Sequence, residues 1–105
     1  MTLKNNTNKE PLRVMADYGS SGFWNKTGMI VLNDIAITEN LKEDIKKWID
    51  LHRKQLDWSN PGAGCIFSES EKVSFLIFEA KIFQQIETQL REQYNLEFIN
   101  TVFDD

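Results

Sequence analysis

The sequence predicts a small α+β domain of two layers: a sheet of two or three strands covered by two long helices, in the order β-(β)-α-α-β. Three observations carry this expectation. Apolar residues alternate just after Pro11 and again near the C-terminus, the period-two pattern of half-buried strands. Two long stretches between them place apolar residues at helical spacing. Clusters of Gly, Asn, Ser and Pro punctuate the boundaries.

Taken in order, residues 1–10 are polar and unpatterned and read as a flexible lead-in, leaving 11–105 as a single domain. Leu12, Val14 and Ala16 share one face of the first strand, which runs to Asp17. Gly19-Ser20-Ser21-Gly22 breaks it, Phe23 and Trp24 follow, and Asn25-Lys26-Thr27-Gly28 makes a second turn. Met29-Ile30-Val31-Leu32 is a short apolar run, read as a short strand. Thr38 or Asn40 caps the first helix, with Glu39, Glu43 and Asp44 at its positive dipole end. Its apolar stripe is Leu41, Ile45, Trp48, Ile49, His52 and Leu56, and the turn-rich run from Asp57 to Gly64 ends it near Leu56.

Ser68-Glu69-Ser70-Glu71 has the capping-box pattern. Val73 to Phe78 carries strand-type residues, and whether it is helix or strand stays open on local grounds. The apolar spacing runs on through Ala80, Phe83, Ile86, Leu90 and Tyr94 without a breaker, so one long helix is expected, capped at Asn95. Its broad apolar face suggests packing against both the sheet and the first helix. Leu96 to Phe103 is the last strand, followed by Asp104 and Asp105.

Composition narrows the function classes. Hydrophobic residues make up 41% and charged residues 27%, enough apolar side chain to offset chain entropy and exclude a disordered polypeptide. A single cysteine, Cys65, forbids an intrachain disulfide and a multi-cysteine metal site. A single histidine, His52, excludes chemistry that needs two imidazoles. No apolar run approaches the ~20 residues needed to span a bilayer, and the polar N-terminus does not resemble a secretion signal, so a cytoplasmic protein is expected. His52 reads as a packed or boundary histidine, since Asp50 and Asp57 do not share its helical face, and Cys65 as a structural thiol. Nothing in the spacing of carboxylates, His or Cys suggests a metal site or cofactor, and the Gly19–Gly22 turn lacks the Lys-Ser/Thr ending of a phosphate loop. No catalytic residue is therefore assigned.

The net charge is −4, and the excess is localised. From Met1 to Lys81 eleven acids balance eleven bases, whereas Ile82 to Asp105 holds Glu87, Glu92, Glu97, Asp104 and Asp105 against Arg91 alone. Such a surface repels nucleic acid and anionic membranes and steers basic partners towards it; equally, it can serve only as a solvated face. Trp48 reads as core and Trp24 as a packing plug. Trp58, in a polar loop, is either an exposed interface anchor or a ring folded over the helix ends.

The segment Asp17-Tyr18-Gly19-Ser20-Ser21-Gly22-Phe23-Trp24, followed by a helix containing Trp48 and a second helix before a short acidic strand, resembles a family of small bacterial immunity proteins encoded beside polymorphic toxins, including those of contact-dependent growth inhibition. The likeness runs from about Leu12 to Asp105. It implies a stoichiometric, non-enzymatic inhibitor, a monomer that pairs 1:1 with the C-terminal toxin domain delivered by a neighbouring cell and blocks its active site or substrate groove. A nuclease toxin presents Lys and Arg where phosphates would sit, and carboxylates can occupy that field. Glu87, Glu92, Glu97, Asp104 and Asp105 are then the first contact candidates, with Asp17, Tyr18, Asp57 and Trp58 next; Tyr18 also has a structural reading. A general interaction or adaptor module unrelated to toxins shares these features, and a small enzyme built on His52 or Cys65 is a third, weaker alternative.

Overall fold

The computed structural model describes residues 9–103; most of the lead-in, Asp104 and Asp105 lie outside the described residues. The chain forms β1 (Glu10–Val14), β2 (Phe23–Asn25), β3 (Gly28–Met29), α1 (Glu39–Arg53), α2 (Glu69–Leu90) and β4 (Tyr94–Phe98), with short 3-10 turns at Leu32–Asp34 and Pro61–Ala63. The four strands make one mixed sheet in the order β3-β2-β1-β4. β1 pairs antiparallel with β2, and β1 pairs parallel with β4, in a register that sets Leu12 beside Leu96 and Val14 beside Phe98. Leu12, Val14 and Phe23 are buried towards the helices, while Pro11, Arg13, Asn95 and Glu97 face solvent. The architecture is therefore the expected two-layer α+β fold.

Both helices begin on the expected caps. The Thr38 hydroxyl accepts from the Leu41 N–H, and Ser68 and Glu71 close a reciprocal capping box. Leu41, Ile45, Trp48 and His52 form the buried face of α1. Residues Val73 to Phe78 are helical, inside α2. The helix packs in both expected directions: Phe83 meets Trp48 of α1 edge-on at 5.5 Å and Phe98 of β4 at 4.9 Å. Val73, Leu76 and Ile77 are left exposed.

Several boundaries differ from the sequence reading. Phe23-Trp24-Asn25 is a strand, paired through Trp24 to Arg13 and Met29. The apolar run after Gly28 contributes only Gly28–Met29 to the sheet, and the chain then enters the Leu32–Asp34 turn. α1 stops at Arg53, with Lys54 as its C-cap. α2 stops at Leu90, with Arg91 as its C-cap, so Asn95 is a strand residue rather than a cap. Tertiary pairing explains this: Tyr94 and Asn95 are claimed by Glu10 and Pro11 of β1. The last strand also ends early, at Phe98. Beyond it the Ile99 N–H still donates to Val14, but Thr101 turns to the interior, where its N–H and hydroxyl donate to Glu79.

Glu79 lies in the middle of the core and is fully buried. Its carboxylate accepts from Trp48 Nε1 at 3.0 Å, from the Thr101 N–H at 2.9 Å and from the Thr101 hydroxyl at 2.6 Å. One carboxylate thus ties α1, α2 and the segment after β4 together. Trp48 is pinned from its other side by Gly22, whose φ of +88° favours glycine and where a Cβ would lie 2.7 Å from the Trp48 ring.

Candidate functional site

The two helices run antiparallel, which gives the domain two distinct ends. At one end the α1 cap Thr38 bonds Gln89, near the C-terminus of α2. At the other the α1 C-terminus meets the start of α2, where the His52 and Phe75 rings lie 6.2 Å apart. The sequence candidates divide between these ends and the open face of the sheet.

Glu87 belongs to the first end. It lines a groove of about 390 Å³ with Lys9, Arg91, Tyr94 and Asn95, and Lys9 donates to the Arg91 carbonyl at 2.8 Å. Glu92 is exposed in the turn that follows α2. Glu97 sits on the solvent face of the sheet, ion-paired with Arg13 at 3.2 Å, in a groove that also includes Trp24 and Lys26. Two of the three described acids of the last quarter therefore share their surroundings with bases. Asp104 and Asp105 lie outside the described residues.

The remaining candidates, separated in sequence, are brought together at the opposite end. Tyr18 stands over the His52 ring at 4.7 Å and meets Trp58 edge-on at 5.3 Å, with an angle of 89° between the two planes. The Arg53 guanidinium lies 5.2 Å from the Trp58 ring centre, a cation–π distance. Tyr18 and Trp58 are 40% and 47% exposed, so their rings present apolar surface to solvent.

Local chemistry builds this corner. The Asp17 carboxylate accepts the Tyr18 N–H at 2.8 Å, and the Asp17 carbonyl accepts from the Ser20 N–H and hydroxyl, which makes a tight turn through Gly19 at φ +68°. Across the corner Trp58 Nε1 donates to the Arg53 carbonyl at 2.8 Å, satisfying a C-terminal carbonyl of α1. The base of that loop is closed by the Ile66 N–H to the Gln55 carbonyl and by a bridge between Leu56 and Cys65. Asp57 accepts from the Ser59 N–H and hydroxyl, and these bonds hold its carboxyl below the usual carboxylate range.

His52 lies beneath Tyr18, 7% exposed, and its Nδ1 has no hydrogen-bond partner among the described residues. Burial pushes its pKa down, against the opposing pull of Asp17 and Glu79. The sequence reading of a packed histidine holds, but the carboxylates near it are Asp17 and Glu79, from other elements, rather than Asp50 or Asp57. Cys65 is a half-buried thiol on the loop bridge. Among the described residues no group of three or more His, Cys, Asp or Glu side chains could hold a metal ion, and no helix is long and apolar enough to cross a membrane.

Beside this corner, on the flank between α1 and α2, an apolar groove of about 420 Å³ is lined by Leu51, Ile66, Phe67 and Phe75, with Lys54 and Glu71 at its walls. Sequence periodicity did not point to it: Leu51 falls off the apolar stripe of α1, and Ile66 and Phe67 lie in the short segment before the α2 capping box.

A family model described as Serratia CdiI immunity protein-like matches residues 10–101. The chain belongs to this family. The match begins on the first residue of β1 and ends on Thr101, the residue bonded to Glu79, so it spans every strand and helix of the fold. It includes Asp17, Tyr18, Asp57, Trp58, Glu87, Glu92 and Glu97, and it excludes Asp104 and Asp105. No curated protein matches the sequence. The resemblance seen from Asp17 to Trp24 onwards thus agrees with the family of immunity proteins of contact-dependent growth inhibition.

Proposed function

We propose that this CdiI-family chain binds and neutralises a cognate toxin domain, a nuclease, by covering its active site or substrate groove, without catalysis of its own. It acts in the cytoplasm as a monomer that forms a 1:1 heterodimer. The observation that carries this reading is the family match across the whole fold. Two features support it. The net charge of −4 suits a partner whose substrate surface attracts phosphates. The lone imidazole is enclosed between Tyr18 and Phe75, supporting the packing of the α1 end rather than facing a substrate.

Inhibition by coverage needs a contact of roughly 800 Å² on each partner, including a few well-packed aromatic or Arg anchors and a polar rim. The exposed Tyr18 and Trp58 rings are candidates for the first, and Glu87, Glu92 and Glu97 for the second. The test is growth rescue combined with reconstitution. Cells expressing the toxin encoded beside this chain's gene should survive only when the chain is co-expressed, and the two purified proteins should elute together with the mass of a 1:1 complex. A chain that neither rescues growth nor co-elutes with that toxin refutes the reading.

A further inference from the structure

The Tyr18–Trp58 corner has a chemistry more specific than a general contact patch. Its two rings are held at 89° to one another by loops that are independently fastened: Asp17 receives the Tyr18 N–H, and Trp58 is tied to the Arg53 carbonyl. Exposed aromatic rings fixed in this way offer contact area with little side-chain entropy left to lose. Each ring is preceded in the chain by an aspartate, Asp17 or Asp57. The Asp57 carboxylate is fully exposed and kept ionised by Ser59. The base in ring contact here is Arg53, whose guanidinium already lies over the Trp58 ring, while the neighbouring Lys54 is paired with Asp50 and Lys46 with Glu43. The site thus accommodates a guanidinium on one of its rings and retains a surplus negative charge. A buried imidazole with an unpartnered Nδ1 lies directly under the other ring.

Resting on the toxin-binding reading above, we propose that this corner receives a cationic side chain, Arg or Lys, projecting from the toxin domain. The exposed part of Tyr18 and the edge of Trp58 supply the π surface, and Asp17 and Asp57 supply the compensating charge. Such a contact would make the aromatic end the centre of the interface and leave Glu87, Glu92 and Glu97 as steering charges at its periphery.

The experiment is calorimetry of the full chain with the purified, catalytically inactivated cognate toxin domain. Tyr18→Leu, Trp58→Leu and Asp57→Asn are compared, each first shown by circular dichroism and thermal melting to be folded. Leucine keeps apolar cover over His52 and removes the π face. Each ring substitution is expected to weaken binding by about 10–100-fold. Asp57→Asn is expected to weaken binding at low salt and to reduce the dependence of the affinity on salt. In double-mutant cycles against Lys→Ala and Arg→Ala changes on the toxin, one basic residue should couple to both Tyr18 and Asp57 by roughly tenfold or more. If the wild type binds while the folded ring variants bind equally well, the corner is refuted and the toxin-binding reading stands. Weakened binding without coupling to any basic toxin residue overturns the cationic occupant in favour of an apolar one. Absence of wild-type binding refutes the toxin-binding reading itself, and a second probe then judges the corner alone. In that case N-acetylarginine amide, but not N-acetylnorleucine amide, should shift the Trp58 indole and Tyr18 ring resonances in NMR titration, and no shift overturns the proposal.

Discussion

Replacing Glu79 by alanine tests the claim that one buried carboxylate holds three parts of the fold together. The change removes the acceptor of Trp48 Nε1, of the Thr101 N–H and of the Thr101 hydroxyl. The hydroxyl can rotate to another acceptor, but the indole and backbone donors cannot follow. Each donor left unpaired in the interior costs about 1–3 kcal/mol. The vacated carboxylate volume adds a cavity term, and the relief of carboxylate desolvation offsets part of the total. The expected net loss is roughly 3–5 kcal/mol, a large share of the ~5–15 kcal/mol that stabilises a typical domain. Glu79→Gln keeps the shape and one acceptor oxygen but turns its amide group towards one of the donors, so it should cost less, about 1–3 kcal/mol. Urea unfolding followed by tryptophan fluorescence measures both changes from the shift in midpoint at constant slope. Amide exchange at Thr101 adds a local readout, since that N–H should lose its protection in Glu79→Ala. A loss below about 1 kcal/mol for Glu79→Ala, or a larger loss for Gln than for Ala, would refute the account.

Other outcomes follow from the same structure. His52 has its pKa lowered in the folded state, so the folded protein binds fewer protons than the unfolded chain. The stability it contributes is present above the ordinary value of 6.5 and is lost as the pH falls through that value towards the lower folded one, and His52→Gln should flatten this part of a urea-derived stability profile. Asp57, lowered from 3.8, would act only in a separate and more acidic window, with stability present above that value and lost below it. Gly22→Ala combines an unfavourable φ of +88° with a Cβ 2.7 Å from the Trp48 ring; a loss of about 2–4 kcal/mol is expected, and thermal unfolding at unchanged midpoint would contradict it. Ser68→Ala breaks the capping box of α2 and should cost about 1 kcal/mol in the same assay. Arg13 and Glu97 form an exposed pair, so a double-mutant cycle on stability should give a coupling of no more than about 1 kcal/mol.

The parts of the fold that were legible in the sequence are those with local causes. The caps at Thr38 and Ser68, the buried stripe through Trp48 and the alternation of Leu12 and Val14 each arise from interactions within a few residues. What escaped depended on distant partners. Nothing between Leu90 and Asn95 breaks a helix; α2 stops because Tyr94 and Asn95 pair with β1. Phe23–Asn25 is too short for a period-two pattern and becomes a strand because Arg13 and Val14 lie beside it. Glu79 was concealed as one acidic residue in a long helix. The available signal was its place on the apolar face, four residues after Phe75 and four before Phe83, where a charged side chain needs internal partners. At the candidate site, Asp17-Tyr18 and Asp57-Trp58 were each visible as residues of interest. Their meeting was not, because it depends on how the β1–β2 turn folds over the end of α1.

The parallel pairing of β1 with β4 has a kinetic corollary. These neighbours are 84 residues apart, as Arg13 and Glu97 illustrate, so the central ladder closes only after β4 has followed β1, the hairpin and both helices out of the ribosome. During synthesis the hairpin and first helix must wait with Leu12 and Val14 uncovered on one edge, a condition that favours chaperone capture and aggregation. A cell making this polypeptide gains the finished sheet late, and its readiness at any moment depends on the stock already folded.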